Sequence, residues 1–369
     1  PAVTLAPGFD GRASAVASAS GRMLDAIGVA QRLAGQGCAI RQIRVSDGLE
    51  PGALDFIPDA GDGALGVMYE NKTLRRALFD AASAAPLVDL RMQTRALAVE
   101  RGPTGVAATL DDGDTVRAPL LIAAEGRNSP TRAAAGLAVA TWRYDHAAII
   151  GAFHHERPHD SVAFEIFYPS GPFALLPLPD DEQGHRSAIV WTVAASDAAG
   201  MLKLGDRGFL AEAEARMGGF LGALSGASPR ASYPLGFHHA ARIIAERLAL
   251  VGDAAHGIHP IAGQGLNLGF RDVAALVEVL VEGKRLGMEL GDAQLLARYQ
   301  RWRGLDTFAV AVATDTLTRL FGVRGRTASA VRRLGLSAVN AIPPLKARFM
   351  AEARGESGDL PKLLQGMTV

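Results

Sequence analysis

The stretch LVGDAAHGIHPIAGQGLNLGFRD at residues 250–272 decides the fold. The apolar run at its start predicts a buried strand, and Gly252 ends that strand where the missing Cβ lets a ligand approach the backbone. Asp253 then stands at the C-terminal end of a strand, which is where α/β folds bind ligands. Gly263 and Gly265 bracket the start of a helix, whose unpaired N–H groups and dipole favour a negative charge. The stretch therefore predicts a strand, a turn and a helix that together hold an anionic ligand.

Outside this stretch, the spacing of apolar residues predicts further helices and strands. The predicted helices cover residues 13–27, 72–84 (with Asn71 as the N-cap), 206–224, 264–282 and 295–320. The predicted strands cover residues 38–45, a run at 119–124 buried on both faces, and short segments within 87–123 and 147–193. The sequence thus predicts an α/β chain with a second, mostly antiparallel lobe.

Composition bounds the function. The chain has 369 residues, enough for about two domains. Its 38 basic and 38 acidic residues give zero formal charge, which argues against nucleic acid as a partner. Cys38 is the single cysteine, so an intrachain disulfide and a cysteine-rich zinc site are excluded. The histidines lack metal-binding spacing, and no metal is expected. No run of about 18 apolar residues and no leader-like segment is found, so a cytoplasmic location is expected.

The central stretch, in the form GDAAH-x3-P-x2-GQGLN-x-G, resembles the flavin-binding motif of the class A flavoprotein aromatic hydroxylases. It looks most like that of the ubiquinone-biosynthesis hydroxylases, which share the fold of para-hydroxybenzoate hydroxylase. In that family the aspartate contacts the ribityl chain of FAD, and the Pro and Gly-Gln-Gly segment lines the isoalloxazine. The resemblance implies FAD contacts at Gly252, Asp253, Pro260, Gly263, Gln264, Gly265, Leu266 and Asn267.

Further segments support the resemblance. DGRA at residues 10–13 looks like the family's D-x-R-A, which implies that Arg12 lies against the FAD phosphates and ribose. MYENKTLRRAL at residues 68–78 resembles V-E-N-x-x-L-R-x-x-L, which makes Asn71 a flavin contact. LIAAEGRNSPTR at residues 121–132 resembles D-G-x-x-S-x-x-R, a motif associated with FAD and NAD(P)H. Here Glu125, followed by Gly126, replaces the usual aspartate.

The resemblance also implies the architecture. The fold expected is α/β, with a three-layer Rossmann-like FAD/NAD(P)-binding domain, an antiparallel-sheet substrate domain and C-terminal helices. The family's opening G-x-G-x-x-G strand–helix unit has no counterpart, so the chain is expected to be truncated at its N-terminus and to lack its first βαβ unit. The expected division is residues 1–85, 86–135 and 241–290 for the FAD domain, 136–240 for the substrate domain, and 291–369 for the C-terminal helices.

The resemblance implies an FAD-dependent monooxygenase that hydroxylates a polyprenylated phenol in ubiquinone biosynthesis, using NAD(P)H and O2 through a flavin hydroperoxide. No catalytic side chain is singled out by the sequence. Hydroxylation of a soluble aromatic compound and a non-catalytic assembly subunit remain as alternatives. Residues 319–354 carry eight basic side chains and one acidic one among apolar residues. They are interpreted either as a solvated helix or as a surface for the inner face of the membrane or for a ubiquinone-pathway protein complex.

Overall fold

The computed structural model describes residues 11–49, 54–59, 61–257, 264–304 and 339–369. Over these residues the chain is a mixed α/β protein, and the α/β class expected from the sequence is confirmed. Most of the sheet pairing is antiparallel, with parallel pairs at two places.

The largest sheet has nine strands among the described residues. Its strands are β3 (Gln42–Asp47), β4 (Leu54–Phe56), β10 (Val139–His155), β11 (Val162–Tyr168), β12 (Gly171–Asp181), β13 (Gly184–Ala194), β14 (Leu224–Ser225), β15 (Ala231–Ala240) and β18 (His256–Gly257). The order is β18-β15-β10-β13-β12-β11-β3-β4, with β14 beside β10. Among the described strands of this sheet, only β11 and β3 run parallel. The antiparallel lobe predicted from residues 147–193 lies at its centre.

Three smaller sheets lie in the rest of the described chain. The first has the order β1-β5-β2, from β1 (Ala13–Ala17), β5 (Gly66–Glu70) and β2 (Cys38–Ile40). The second has the order β16-β17-β9, from β16 (Ile244–Ala245), β17 (Leu248–Leu250) and β9 (Leu121–Ala123), and its β17 and β9 are parallel. The third is a meander of β6 (Ala96–Gly102), β7 (Gly105–Leu110) and β8 (Thr115–Ala118).

The helices flank these sheets. They are α1 (Ser18–Ala26), α2 (Ala30–Leu33), α3 (Asn71–Ala84), α4 (Pro130–Ala134), α5 (Ala198–Lys203), α6 (Asp206–Met217), α7 (Gly265–Arg285) and α8 (Pro343–Ala353). Residues 293–304 are also helical. Within the described ranges, none of the helices has the length and hydropathy needed to cross a bilayer.

Two apolar clusters organise the core. One packs β17 against α7 and the 293–304 helix, and it includes the fully buried Leu250, Val279 and Tyr299. The other covers one face of the large sheet with α5 and α6, around Phe173 and Phe209. Burial of such side chains stabilises each lobe by about 1.5–3 kcal/mol per large apolar residue. The first cluster fixes the end of β17, where the predicted ligand turn begins.

Several predicted elements differ from the observed ones. The helix predicted over residues 13–27 begins only at Ser18, because residues 13–17 pair with β5 as strand β1. Residues 38–45 are split into β2 and β3, which join different sheets. Helix α3 begins at Asn71, so the predicted N-cap is wrong by one residue, and Glu70 holds that position. In the predicted strand at 119–124, Ile122 is 47% exposed, since β9 is an edge strand of its sheet in the described chain.

Candidate functional site

A tight turn follows β17 at the point where the sequence predicts the ligand. β17 ends at Leu250, and Gly252–Ala254 form one 3₁₀ turn. Gly252 has φ +58°, which L side chains rarely adopt, and a Cβ added there would stand 3.8 Å from the Cα of Gly269 on α7. The turn therefore packs closely on the start of α7, and glycine suits both positions.

A buried ionic network holds this turn in place. The Oδ2 atom of Asp272, on α7, accepts the Gly252 N–H at 2.9 Å and a hydrogen bond from His256 Nε2 at 2.6 Å. Its Oδ1 atom accepts the Arg303 Nε–H at 2.7 Å. Burial alone would raise the pKa of Asp272, but the charges and hydrogen bonds of His256 and Arg303 hold that pKa below its ordinary value. An ionised carboxylate therefore ties the turn to two helices.

The backbone of Asp253 is fixed while its side chain is exposed. His238, on β15, donates from Nε2 to the carbonyl oxygen of Asp253 at 2.7 Å. Burial lowers the pKa of His238, and the nearby charge of Arg127 acts in the same direction, so the ring is neutral at pH 7. The turn thus presents the Asp253 carboxylate from a rigid main chain.

Asn267 joins the first turn of α7 to β1. Its Nδ2 group donates to the Ala15 carbonyl at 3.0 Å, and its Oδ1 atom accepts the Ala17 N–H at 2.9 Å. The side chain is 2% exposed, and both polar atoms of the amide are engaged with the backbone of β1. The Asn267 side chain therefore connects two of the predicted flavin-binding segments through hydrogen bonds.

Arg12 and Asn71 lie together at the beginning of β1. The Asn71 N–H donates to the Arg12 carbonyl at 3.0 Å, and Ser14 Oγ donates to Asn71 Oδ1 at 2.7 Å. The Arg12 side chain is exposed. Because Asn267 binds the same strand, these two predicted contacts are linked to the start of α7.

The loop after β9 reaches the same turn. Glu125 accepts hydrogen bonds at its Oε1 from Thr131 Oγ1 (2.8 Å) and at its Oε2 from the Thr131 N–H (3.2 Å) and from Ser129 Oγ. The carboxylate therefore caps α4. Arg132, on α4, donates from Nη1 to the Ala254 carbonyl at 2.8 Å. This hydrogen bond fastens the loop to the turn that carries Asp253.

A match to one protein family covers most of the chain. A family described as "FAD binding domain" matches residues 6–311. The chain is 43% identical over 370 aligned positions to ubiquinone hydroxylase UbiL of Rhodospirillum rubrum, covering 100% of this chain and 85% of that protein. The protein belongs to the ubiquinone-biosynthesis hydroxylase family. The relatives of this hydroxylase include the 3-demethoxyubiquinol 3-hydroxylase of Escherichia coli, 32% identical over 94% of this chain and 88% of that one.

Solved structures agree with this fold. The crystal structure of p-nitrophenol 4-monooxygenase PnpA from Pseudomonas putida superposes on the hydroxylase with a TM-score of 0.77. The match covers 95% of this chain and 90% of PnpA at 17% sequence identity. At that identity the likeness establishes the architecture alone, and the expected flavin monooxygenase fold is confirmed.

The described part of the hydroxylase places the predicted site residues on connected segments. Those segments carry Arg12, Asn71, Glu125, Gly126, Gly252, Asp253, Gln264, Gly265, Leu266 and Asn267. Pro260 and Gly263 lie outside the described residues. Leu266 packs against the apolar cluster under β1 and α3. A Cβ added at Gly265 or at Gly126 would meet no atom within 4 Å, so open space lies beside both glycines.

This arrangement fits the FAD that the family implies. The turn offers a carboxylate, and the start of a 21-residue helix offers N–H groups with no partner inside the helix. Among the described residues, no group of three histidine, cysteine or acidic side chains could hold a metal ion.

The sequence motifs did not reveal what holds the site together. The Asp272 network and the Arg132 hydrogen bond to the turn had no assigned role in the sequence. Asp272 and His256 lie within the quoted stretch, but their meeting at 2.6 Å depends on how α7 folds back on the turn. Two ionisable residues flanking a glycine-rich turn are the signal that could have pointed to them.

Proposed function

We propose that this hydroxylase uses FAD, NAD(P)H and O2 to hydroxylate the aromatic ring of a polyprenylated phenol in ubiquinone biosynthesis. The observation that carries the proposal is the linkage of four motif segments by direct contacts: Asn71 to Arg12, Asn267 to β1, and Arg132 to Ala254. The 43% sequence identity to ubiquinone hydroxylase UbiL over the whole chain supports the substrate class.

The protein's own groups bind and orient the cofactor in this account. Asp253 would accept hydrogen bonds from the hydroxyls of the ribityl chain, and the exposed Arg12 would pair with the phosphates. The start of α7, from Gln264 to Asn267, would place its positive dipole end beside the anionic end of the flavin. Glu125 orders the loop of the fourth motif by capping α4. When bound, FAD supplies the redox chemistry that activates O2.

The proposal is tested with protein expressed from its complete coding sequence. The purified protein is expected to be yellow, to release FAD on denaturation, and to oxidise NAD(P)H faster when a short-chain prenylphenol is added. Stimulation by a soluble aromatic acid with no response to prenylphenols would support the alternative substrate class. Absence of flavin after reconstitution would contradict the proposal.

Replacement of Asp253 by Asn is expected to weaken FAD binding about 10- to 100-fold. The reason is that a hydrogen bond to a charged group contributes about 1.5–3 kcal/mol. FAD titration followed by quenching of flavin fluorescence measures this affinity. The matched control is Asp80→Asn, the same change at an exposed position on α3, which should bind FAD as the wild type does. Equal FAD affinities for the two variants would show that Asp253 does not contribute to FAD binding.

We also propose that the hydroxylase touches an anionic membrane surface, where a polyprenyl substrate resides. Most of the basic segment at 319–354 lies outside the described residues, but α8 is described. The exposed Ile342 (48%) immediately precedes this helix, and the exposed Phe349 (39%) lies on it near Lys346 and Arg348. Apolar side chains with basic neighbours are typical of surfaces that bind anionic lipid.

Removal of the two basic side chains is expected to weaken binding to vesicles that contain phosphatidylserine. Each basic residue near such a surface contributes about 1 kcal/mol, so Lys346→Ala with Arg348→Ala should lower the partition coefficient about 30-fold. Vesicle co-sedimentation at low salt measures it. The control pair is Lys203→Ala with Arg207→Ala, both exposed on α5 and α6. Equal binding by the two pairs would contradict a contact through α8.

A further inference from the structure

An ion pair joins the β1-β5-β2 sheet to the nine-stranded sheet. Arg186, on β13, donates from Nη2 to the Oε1 atom of Glu70 at 3.0 Å. The two side chains are 15% and 12% exposed, so the pair is largely shielded from water. Glu70 ends β5 and directly precedes Asn71, while Arg186 lies in the predicted substrate domain. The pair therefore connects the predicted cofactor domain to the predicted substrate domain.

The two members of the pair lie where the two sheets pack together. On one sheet, Glu70 is paired with Ala13 across the β5–β1 ladder. On the other, Arg186 is paired with Leu178 across the β13–β12 ladder. Ala13 and Leu178 pack in one apolar cluster, and residues paired across a ladder share a face of their sheet. The ion pair therefore lies beside the apolar contact between the two sheets.

The guanidinium group of Arg186 is also held by its own sheet. Its Nε–H donates to the Pro179 carbonyl at 3.0 Å, and the Nε atom lies 3.2 Å from Asp181 Oδ2. Because a guanidinium is planar and its donors form a fixed fork, these contacts orient the Nη2 group toward Glu70. The ammonium group of a lysine is a point charge on a flexible stem and would not be oriented in this way. Arg186 therefore presents a charge in a fixed place to the neighbouring sheet.

Glu70 is coupled through the backbone to both predicted flavin contacts of its sheet. Its Oε2 atom lies 3.3 Å from the Lys72 ammonium group, so each carboxylate oxygen faces a cation. The adjacent Asn71 donates its N–H to the Arg12 carbonyl at 3.0 Å and accepts at Oδ1 from Ser14 Oγ at 2.7 Å. Because Glu70 and Asn71 share a peptide bond, a displacement of Glu70 would shift Asn71 and the Arg12 backbone with it.

We propose that Arg186 is a positioning residue of the hydroxylation, which acts through Glu70 to hold the predicted flavin contact Asn71 against the substrate sheet. This inference rests on the proposed function. Hydroxylation requires the substrate ring to stay beside the place where oxygen is activated. When the two are displaced from each other, the electrons of NAD(P)H are lost to oxygen, so that NAD(P)H, a proton and O2 give NAD(P)+ and H2O2. The ion pair therefore keeps NAD(P)H oxidation coupled to hydroxylation of the ring.

The test measures the coupling ratio, which is the hydroxylated product formed per NAD(P)H oxidised, for the complete FAD-loaded protein with a short-chain prenylphenol. In Arg186→Gln the ratio should fall about 10-fold, with H2O2 accounting for the difference, since a misplacement of about 1 Å can slow a reaction about 100-fold. Arg186→Lys keeps the charge and should recover part of the ratio. The matched control is Arg44→Gln, which breaks a more exposed ion pair with Asp55 between β3 and β4 and should couple as the wild type does.

The coupling ratio separates positioning from a structural role. Unfolded molecules form no product, so a variant that is merely less stable gives less turnover per mole of protein at an unchanged ratio. Glu70→Gln leaves the contacts of Arg186 with Pro179 and Asp181 in place, and it should lower the ratio as Arg186→Gln does. Because both changes break the same pair, the double variant should have the ratio of the worse single variant.

The outcomes are distinct. A wild-type ratio in Arg186→Gln overturns the inference and leaves the proposed function standing. If Arg186→Gln does not fold, a wild-type ratio in Glu70→Gln overturns the inference equally. Additive losses in the double variant show that Arg186 does not act through Glu70 and overturn it as well. A wild type that binds FAD but hydroxylates no prenylphenol overturns the proposed function, and the inference with it.

Discussion

Asp272→Asn is expected to lower the free energy of unfolding by about 3–5 kcal/mol, because it removes the negative charge of a buried ion pair with Arg303. Arg303 is 1% exposed and Asp272 is 0% exposed, so water cannot replace the lost charge. The same change weakens the hydrogen bond that fixes the Gly252 N–H, and the turn carrying Asp253 should lose its geometry. Urea unfolding measures the first effect, and the FAD content of the purified protein measures the second.

The control for this prediction is Asp80→Asn, which removes the same charge from an exposed helical position. It should change stability by less than about 0.5 kcal/mol. The pKa of Asp272 is lowered in the folded state, so its stabilising contribution is present above the ordinary aspartate pKa and lost as pH falls through the lower, folded value. The wild type should lose this contribution at acidic pH and Asp272→Asn should not. An Asp272→Asn protein as stable as the control would contradict the role of the network.

Asn267→Ala is expected to cost about 2–4 kcal/mol of unfolding free energy. The change removes both hydrogen bonds to β1 and leaves the Ala15 carbonyl and the Ala17 N–H unsatisfied. Each buried polar group without a partner costs about 1–3 kcal/mol. Chemical unfolding measures the loss. Because β1 follows Arg12, we also expect weaker FAD binding in titrations.

The exposed Asn340 provides the comparison. Asn340→Ala removes an amide that is bonded to the Lys346 ammonium group at the surface, where the loss should be small. If Asn267→Ala keeps the stability of the Asn340→Ala variant and loses only FAD affinity, Asn267 acts on the cofactor rather than on β1. That result would refute a structural role for the Asn267 hydrogen bonds to β1 and favour the direct flavin contact predicted from the motif.

The sequence predicted the segments of the site better than their connections. The turn at Gly252 and the helix after Gln264 follow from local rules, since a strand end, glycines and an apolar period are all readable within a few residues. The same motif predicted an FAD family, and the comparisons confirmed it. The individual cofactor contacts stay predictions.

The contacts between these segments join residues that lie far apart in the sequence, and local sequence patterns do not predict such contacts. Asn267 meets β1 across 250 residues, and Arg132 meets Ala254 across 122. The sequence suggested that Asn267 contacts flavin, yet its amide is engaged with backbone atoms. Glu125 was noted as a departure from aspartate, and its longer side chain now reaches Thr131 at both carboxylate oxygens.

Strand β1 shows why the spacing of apolar residues predicted a helix over residues 13–17, where the structure has a strand. Residues 13–17 are mostly small, and their spacing is compatible with the helix that follows at Ser18. Pairing with β5 decides the matter, because all five residues are in register with that strand, while Asn267 bonds the Ala15 carbonyl and the Ala17 N–H.

The most direct test of the central claim is the incorporation of isotope from 18O2. The complete protein is incubated with FAD, NAD(P)H and a short-chain prenylphenol under 18O2, and the product is analysed by mass spectrometry. The account predicts one 18O atom in a new ring hydroxyl, with one NAD(P)H consumed for each product formed. A flavin-loaded protein that oxidises NAD(P)H and leaves the phenol free of 18O would contradict it.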